Sequence, residues 1–147
     1  MSAAIFVAVL VLVVLLSTVF DDGVPPTYRG RSCQGKNWRR SFPKRSKQSI
    51  REFLSLFTDS FAIKSGRGLS FQPDDELMAI YRARYPRLGW SDVLELETFA
   101  RDLEKRHNLR LEDIWHEHIT LGQVFSQLPA PNKALQRTRS KQRASER

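Results

Sequence analysis

Asp92-Val93-Leu94-Glu95-Leu96-Glu97-Thr98-Phe99-Ala100-Arg101-Asp102-Leu103-Glu104-Lys105-Arg106-His107-Asn108 is the stretch whose reading decides the fold. Leu96, Phe99, Ala100 and Leu103 stand at i, i+3, i+4 and i+7, one apolar stripe of an amphipathic helix. Asp92 followed three residues on by Glu95 resembles a capping box with Asp as the cap. Asn108 suits the left-handed position that ends such a helix. The spacing predicts a helix over residues 92–107.

Outward from it the same period recurs. Ile50, Phe53, Leu54, Phe57 and Phe61 predict a helix over 48–61. Residues 62–72, with Gly66 and Gly68, read as a loop. Pro73 suits a first helical turn, and Asp74, Asp75 and Glu76 complement the positive end of its dipole, predicting a helix to about Arg84 that buries Leu77, Ile80 and Tyr81. Downstream, Leu109 and Leu111 point inward and residues 112–117 make a short helical turn around Ile114 and Trp115. Thr120 caps a last helix through Val124, Phe125 and Leu128. The expected fold class is all-α, a small bundle over 48–128.

The flanks differ from this core. Residues 21–47 hold eight Lys/Arg against two Asp, a net of +6, with Pro25-Pro26, Gly23, Gly30, Gly35 and Pro43 and no regular period. They read as a basic linker. Residues 129–147 hold six Lys/Arg against one Glu, a net of +5, and read as a disordered basic tail. The core between them is mildly acidic, at −3. Positive charge on arms rather than on the folded surface argues against nucleic acid as partner and for anionic lipid, with Arg29, Arg31, Lys36, Arg39 and Arg40 as the contacts.

Residues 3–20, AAIFVAVLVLVVLLSTVF, carry no charge. As a helix they would span about 27 Å, close to the roughly 30 Å hydrocarbon core of a bilayer. A cleaved signal peptide would want a basic start and a small-x-small site, and the run lacks both. The expectation is a single-pass transmembrane helix over 1–20. The basic residues that follow it put the N-terminus outside and the C-terminal domain in the cytoplasm, at the inner membrane if the chain is bacterial. Cys33 is the only cysteine, so no intrachain disulfide forms. It reads as an inert exposed thiol, or beside a membrane helix as a palmitoylation site.

Leu103-Glu104-Lys105-Arg106-His107-Asn108-Leu109-Arg110-Leu111, followed by Ile119-Thr120-Leu121-Gly122-Gln123-Val124, resembles the second half of an acyl carrier protein. That family has an acidic helix two, a turn ending in an apolar residue, a short helix three and an Ile-Thr-x-x start to helix four. The match runs without a gap over 92–128, about a quarter of the chain. It implies a four-helix fold, here with one extra helix over 73–84, and docking of helix two to a partner. Carriers open helix two with Asp-Ser-Leu, and that serine receives the phosphopantetheine arm. Here the positions are Asp92, Val93 and Leu94, and valine has no hydroxyl to modify. Ser91 could replace it only if the register slipped. The chain thus resembles bacterial carrier-like proteins that lack the serine.

Other candidates for chemistry are thin. His116-Glu117-His118 has two possible metal ligands close together where zinc wants three or four, and only His107 and Cys33 could add to them. Asp74, Asp75 and Glu76 have no His, Ser or Lys beside them as a catalytic partner. No catalytic, cofactor or metal site is therefore expected. Asp92, Glu95, Glu97, Asp102 and Glu104 read either as a solvated helix face or as a partner-docking surface. The expected function is a membrane-tethered, non-enzymatic protein-interaction module. The alternatives are a true carrier using Ser91, or lipid or nucleic-acid binding through the basic arms.

Overall fold

The computed structural model describes residues 22–64, 66–86 and 94–129, together with Val7, Val9 and Val11. Among the described residues from 22 to 129 it is helical, without a strand. The α-helices are α1 (Pro26–Arg29), α2 (Gly35–Ser41), α3 (Lys47–Ser60), α4 (Leu77–Arg84), α5 (Leu94–His107) and α6 (Leu121–Gln127). Single 3₁₀ turns lie at Gly68–Ser70 and Leu111–Ile114.

α3 begins where Ser46, in extended conformation, accepts a hydrogen bond from the Ser49 N–H, which satisfies one of the orphan donors of the first turn. Its apolar stripe is buried as the spacing requires, with Phe53, Phe57 and Phe61 fully enclosed. α5 crosses this stripe with Leu96, Phe99 and Leu103 inward. The Phe99 ring stands 6.2 Å from Phe53, 5.8 Å from Phe57 and 6.2 Å from Phe61. Asn108 takes φ 53°, the left-handed conformation that ends α5. α6 opens with a full capping box, Thr120 Oγ1 accepting from Gln123 N and Gln123 Oε1 accepting from Thr120 N.

A short main-chain zipper joins the starts of α4 and α6. Leu77 N donates to Ile119 O at 2.9 Å, Leu121 N to Asp75 O at 3.0 Å and Gly122 N to Pro73 O at 2.8 Å. This pairing holds residues 73–76 in turn and extended conformations, so α4 starts at Leu77 rather than at Pro73. The three acidic residues expected to face its dipole precede the helix.

The segment expected to be a linker, 21–47, is the largest departure. From residue 22 it is ordered, forms α1 and α2, and delivers Val24, Tyr28 and Trp38 to the core. Trp38 is fully enclosed. It donates from Nε1 to Phe71 O at 2.8 Å and packs its ring against Phe42, Phe53 and Phe125 at 5.8, 6.0 and 5.6 Å. Helices of four and seven residues are too short to display a period, which is why the pattern read as structureless. The stretch acts as a strap across the bundle.

The expected membrane-spanning helix is also corrected. Among the described residues no helix is long and apolar enough to cross a membrane. The longest, α3 and α5, have 14 residues each, about 21 Å against a core of roughly 30 Å, and each has a polar face. Of residues 3–20 only Val7, Val9 and Val11 are among those described, and the rest of that stretch lies outside them. With the span go the single-pass placement and the N-out orientation built on it. The expected tail, 129–147, lies outside the described residues except for Pro129, whose carbonyl accepts from Arg45 at 3.0 Å.

Candidate functional site

Each group of residues singled out above has its own surroundings. Asp92, Val93 and Ser91, the positions that bear on carrier chemistry, lie outside the described residues. Of the acidic docking set, Glu97 and Glu104 on α5 are exposed and Asp102 is half-buried. Glu95 turns back into the fold, its carboxylate accepting from the Tyr85 hydroxyl at 2.6 Å. Burial first, and then this carboxylate, push the Tyr85 hydroxyl up to about 12.

Beside Glu97 lies a shallow apolar trough of about 260 Å³ lined by Leu96, Glu97, Ala100, Leu111, Glu112 and Trp115. Trp115 is 42 % exposed there, and Leu94, at the start of α5, is 59 % exposed. The sequence places Trp115 in a short helical turn over 112–117. A capped 3₁₀ turn that ends at Ile114 swings Trp115 outward instead. Asp113 and Glu112 add carboxylates on the same turn, with Arg110 at 3.3 and 3.7 Å from them.

The expected lipid contacts divide in two. Arg29 and Arg31 are used inside the molecule. Arg29 Nε donates to Val24 O at 2.9 Å, and Arg31 pairs with the buried Asp75 at 2.7 Å while lying 4.5 Å over the Tyr28 ring. Lys36, Arg39 and Arg40 stay outside, on α2. They line a groove of about 550 Å³ with Lys47 and Arg51 of α3 and with Cys33, Gly35, Ile50 and Leu69. Lys47 and Arg51 are the members the sequence reading missed. Their i, i+4 spacing on the polar side of α3 was the available signal, but only the fold sets α2 alongside it.

The remaining candidates are placed as follows. His116 and His118 are exposed, and His118 Nδ1 lies 3.2 Å from Glu76 Oε2. Glu117 is held below the usual carboxylate range by the hydrogen bond and charge of Arg82. Among the described residues no three His, Cys, Asp or Glu side chains stand together as a metal set. Of the acidic triplet, Asp75 is buried in the Arg31 pair, Asp74 is exposed and Glu76 is half-buried.

No family model, no curated protein and no solved structure matches the chain. The acyl-carrier resemblance therefore stands on the residues quoted above, with no relative behind it.

Proposed function

We propose that this chain is a non-enzymatic helical interaction module that presents the start of α5 and the turn at Leu111–Ile114 to a basic, apolar-tipped surface on another protein. The observation that carries the reading is the exposed Trp115 in the wall of an apolar trough formed with Leu96, Ala100 and Leu111 and rimmed by Glu97 and Glu112. A large exposed aromatic next to an apolar pocket with a polar rim is the usual make-up of an interface centre. The carboxylates select a basic partner and speed the encounter, while Trp115 and the apolar trough supply the burial. The acyl-carrier resemblance supports the same face, because carriers dock through helix two. Val93 at the serine position supports docking without acyl transfer, since valine offers no hydroxyl.

The test is a partner captured on the full chain, purified and titrated back. Trp115→Ala and Glu97→Lys are each expected to weaken that complex by about tenfold or more, and Lys105→Glu to leave it unchanged. Equal affinity for wild type and Trp115→Ala would overturn the assignment. In parallel, incubation with a phosphopantetheinyl transferase is expected to leave the intact mass unchanged, and a gain of one arm would make the chain a true carrier.

A further inference from the structure

The groove between α2 and α3 has a composition that the docking reading does not use. Lys36, Arg39 and Arg40 share one side of α2 by their i, i+3 and i+4 spacing, and Lys47 and Arg51 share one side of α3. Five cations thus border one trough, and no carboxylate is among its lining residues. Among the described residues none of the five forms an ion pair, whereas Arg31, Arg67 and Arg82 pair with Asp75, Asp22 and Glu117. Like charges gathered in this way repel, and an anion placed among them relieves the repulsion.

The floor is aliphatic. Ile50 is buried beneath it and Leu69 is half-buried. Gly35 leaves a gap where a Cβ would stand 3.5 Å from Cys33 Sγ and 3.9 Å from Leu69 Cδ2. The main-chain bond from Gln34 N to Leu69 O, 2.8 Å long, pins this end of the trough. No aromatic ring lines it, so it offers no platform on which nucleic-acid bases could stack. Its volume of about 550 Å³ falls within the roughly 300–1,000 Å³ of small-molecule sites.

We infer that this groove binds an anionic amphiphile, with a phosphate-type head held by Lys36, Arg39, Arg40, Lys47 and Arg51 and an alkyl body lying on Cys33, Gly35, Ile50 and Leu69. The cations supply charge-assisted hydrogen bonds to the head. The floor and the alkyl stems of the long basic side chains remove the body from water. The site is independent of the docking face, and Trp115→Ala leaves it intact.

Cys33, the sole cysteine, is exposed at the groove and reports occupancy directly. The full chain is alkylated with N-ethylmaleimide and followed by intact mass, in the presence of decyl phosphate below its micelle-forming concentration, inorganic phosphate, decyl maltoside or a single-stranded RNA oligomer. Decyl phosphate is expected to slow alkylation, with half-protection moving to higher concentration as salt is raised. Inorganic phosphate is expected to need about tenfold more, and decyl maltoside to give no protection. The double variant R40E/R51E, at two exposed and unpaired positions, is expected to raise the half-protecting concentration about tenfold. Gly35→Leu fills the floor and is expected to abolish decyl phosphate binding, measured by calorimetry, while inorganic phosphate binding persists. Four outcomes overturn the inference: no protection by decyl phosphate, equal protection by decyl maltoside, equal protection by inorganic phosphate at the same concentration, or stronger protection by the RNA oligomer.

Discussion

Arg31 closes on Asp75 across 44 residues of sequence, its Nη1 donating to Oδ1 at 2.8 Å and to Oδ2 at 2.7 Å. The same carboxylate accepts from Gln72 N at 2.8 Å, and the Asp75 carbonyl accepts from Leu121 N. One buried residue therefore ties the strap and the turn before α4 together through its carboxylate, and the start of α6 through its carbonyl. Arg31→Ala leaves the carboxylate enclosed without its cation. Because Arg31 keeps 30 % of its surface in water, the expected cost is about 2–3 kcal/mol rather than the full penalty of a wholly buried pair. Urea unfolding reads this directly. Asp75→Asn in the Arg31→Ala background is expected to recover part of the loss, and an unchanged midpoint for Arg31→Ala would show that the pair contributes nothing.

The strap is part of the folding unit. A fragment comprising residues 48–128 lacks Trp38, Tyr28 and Val24, all buried against the bundle. That fragment is expected to lose the near-ultraviolet dichroism and cooperative melting of the full chain. In the full chain, Trp38→Ala is expected to cost about 3–5 kcal/mol, because it empties a fully enclosed site and leaves Phe71 O without its donor.

Gly23 holds the first described turn against the end of α3. Its φ is +73°, and a Cβ there would stand 2.5 Å from the Ala62 carbonyl oxygen. Gly23→Ala therefore combines left-handed strain with a clash against backbone, and about 2 kcal/mol of destabilisation is expected. Gly30→Ala is the control, since nothing lies within 4 Å of a Cβ at that position. Thermal melts of the two variants should separate clearly.

Stability should also depend on pH at two groups. His107 is held below its ordinary 6.5, by burial first and by Arg106 second. The unfolded chain then takes up the proton first as pH falls. The contribution is complete above 6.5 and is lost as pH drops towards the folded value. His107→Gln is expected to flatten the urea midpoint over that range. Tyr85 acts at the other end. Its hydroxyl, at about 12 in the fold against 10.0 outside it, contributes in full below pH 10 and loses its effect as pH rises towards 12. Tyr85→Phe should remove that alkaline slope.

What could be read in the sequence was whatever a local period carries. The stripes of α3 and α5, the Asn108 end and the Thr120–Gln123 cap are set by side chains within four residues of one another, and the structure places them there. The candidate sites were less legible. Spacing alone reads Glu95 as a surface acid and Arg31 as a lipid contact, whereas the Tyr85 hydroxyl bonds to the one and Asp75 pairs with the other. In both cases the partner is set by the path of the chain rather than by spacing.

By itself, then, the sequence determined the all-helical class and the two long amphipathic helices, because burial of an i, i+3, i+4, i+7 stripe is a local demand that almost any bundle satisfies. Only the tertiary structure decided that a basic, proline-containing segment is a strap and that Trp115 faces water. It also decided that cations from α2 and α3 meet around one groove. Short helices and isolated charges carry no period, and their free energy comes from contacts with residues far away in the chain. Their roles are settled only when the fold brings those residues to them.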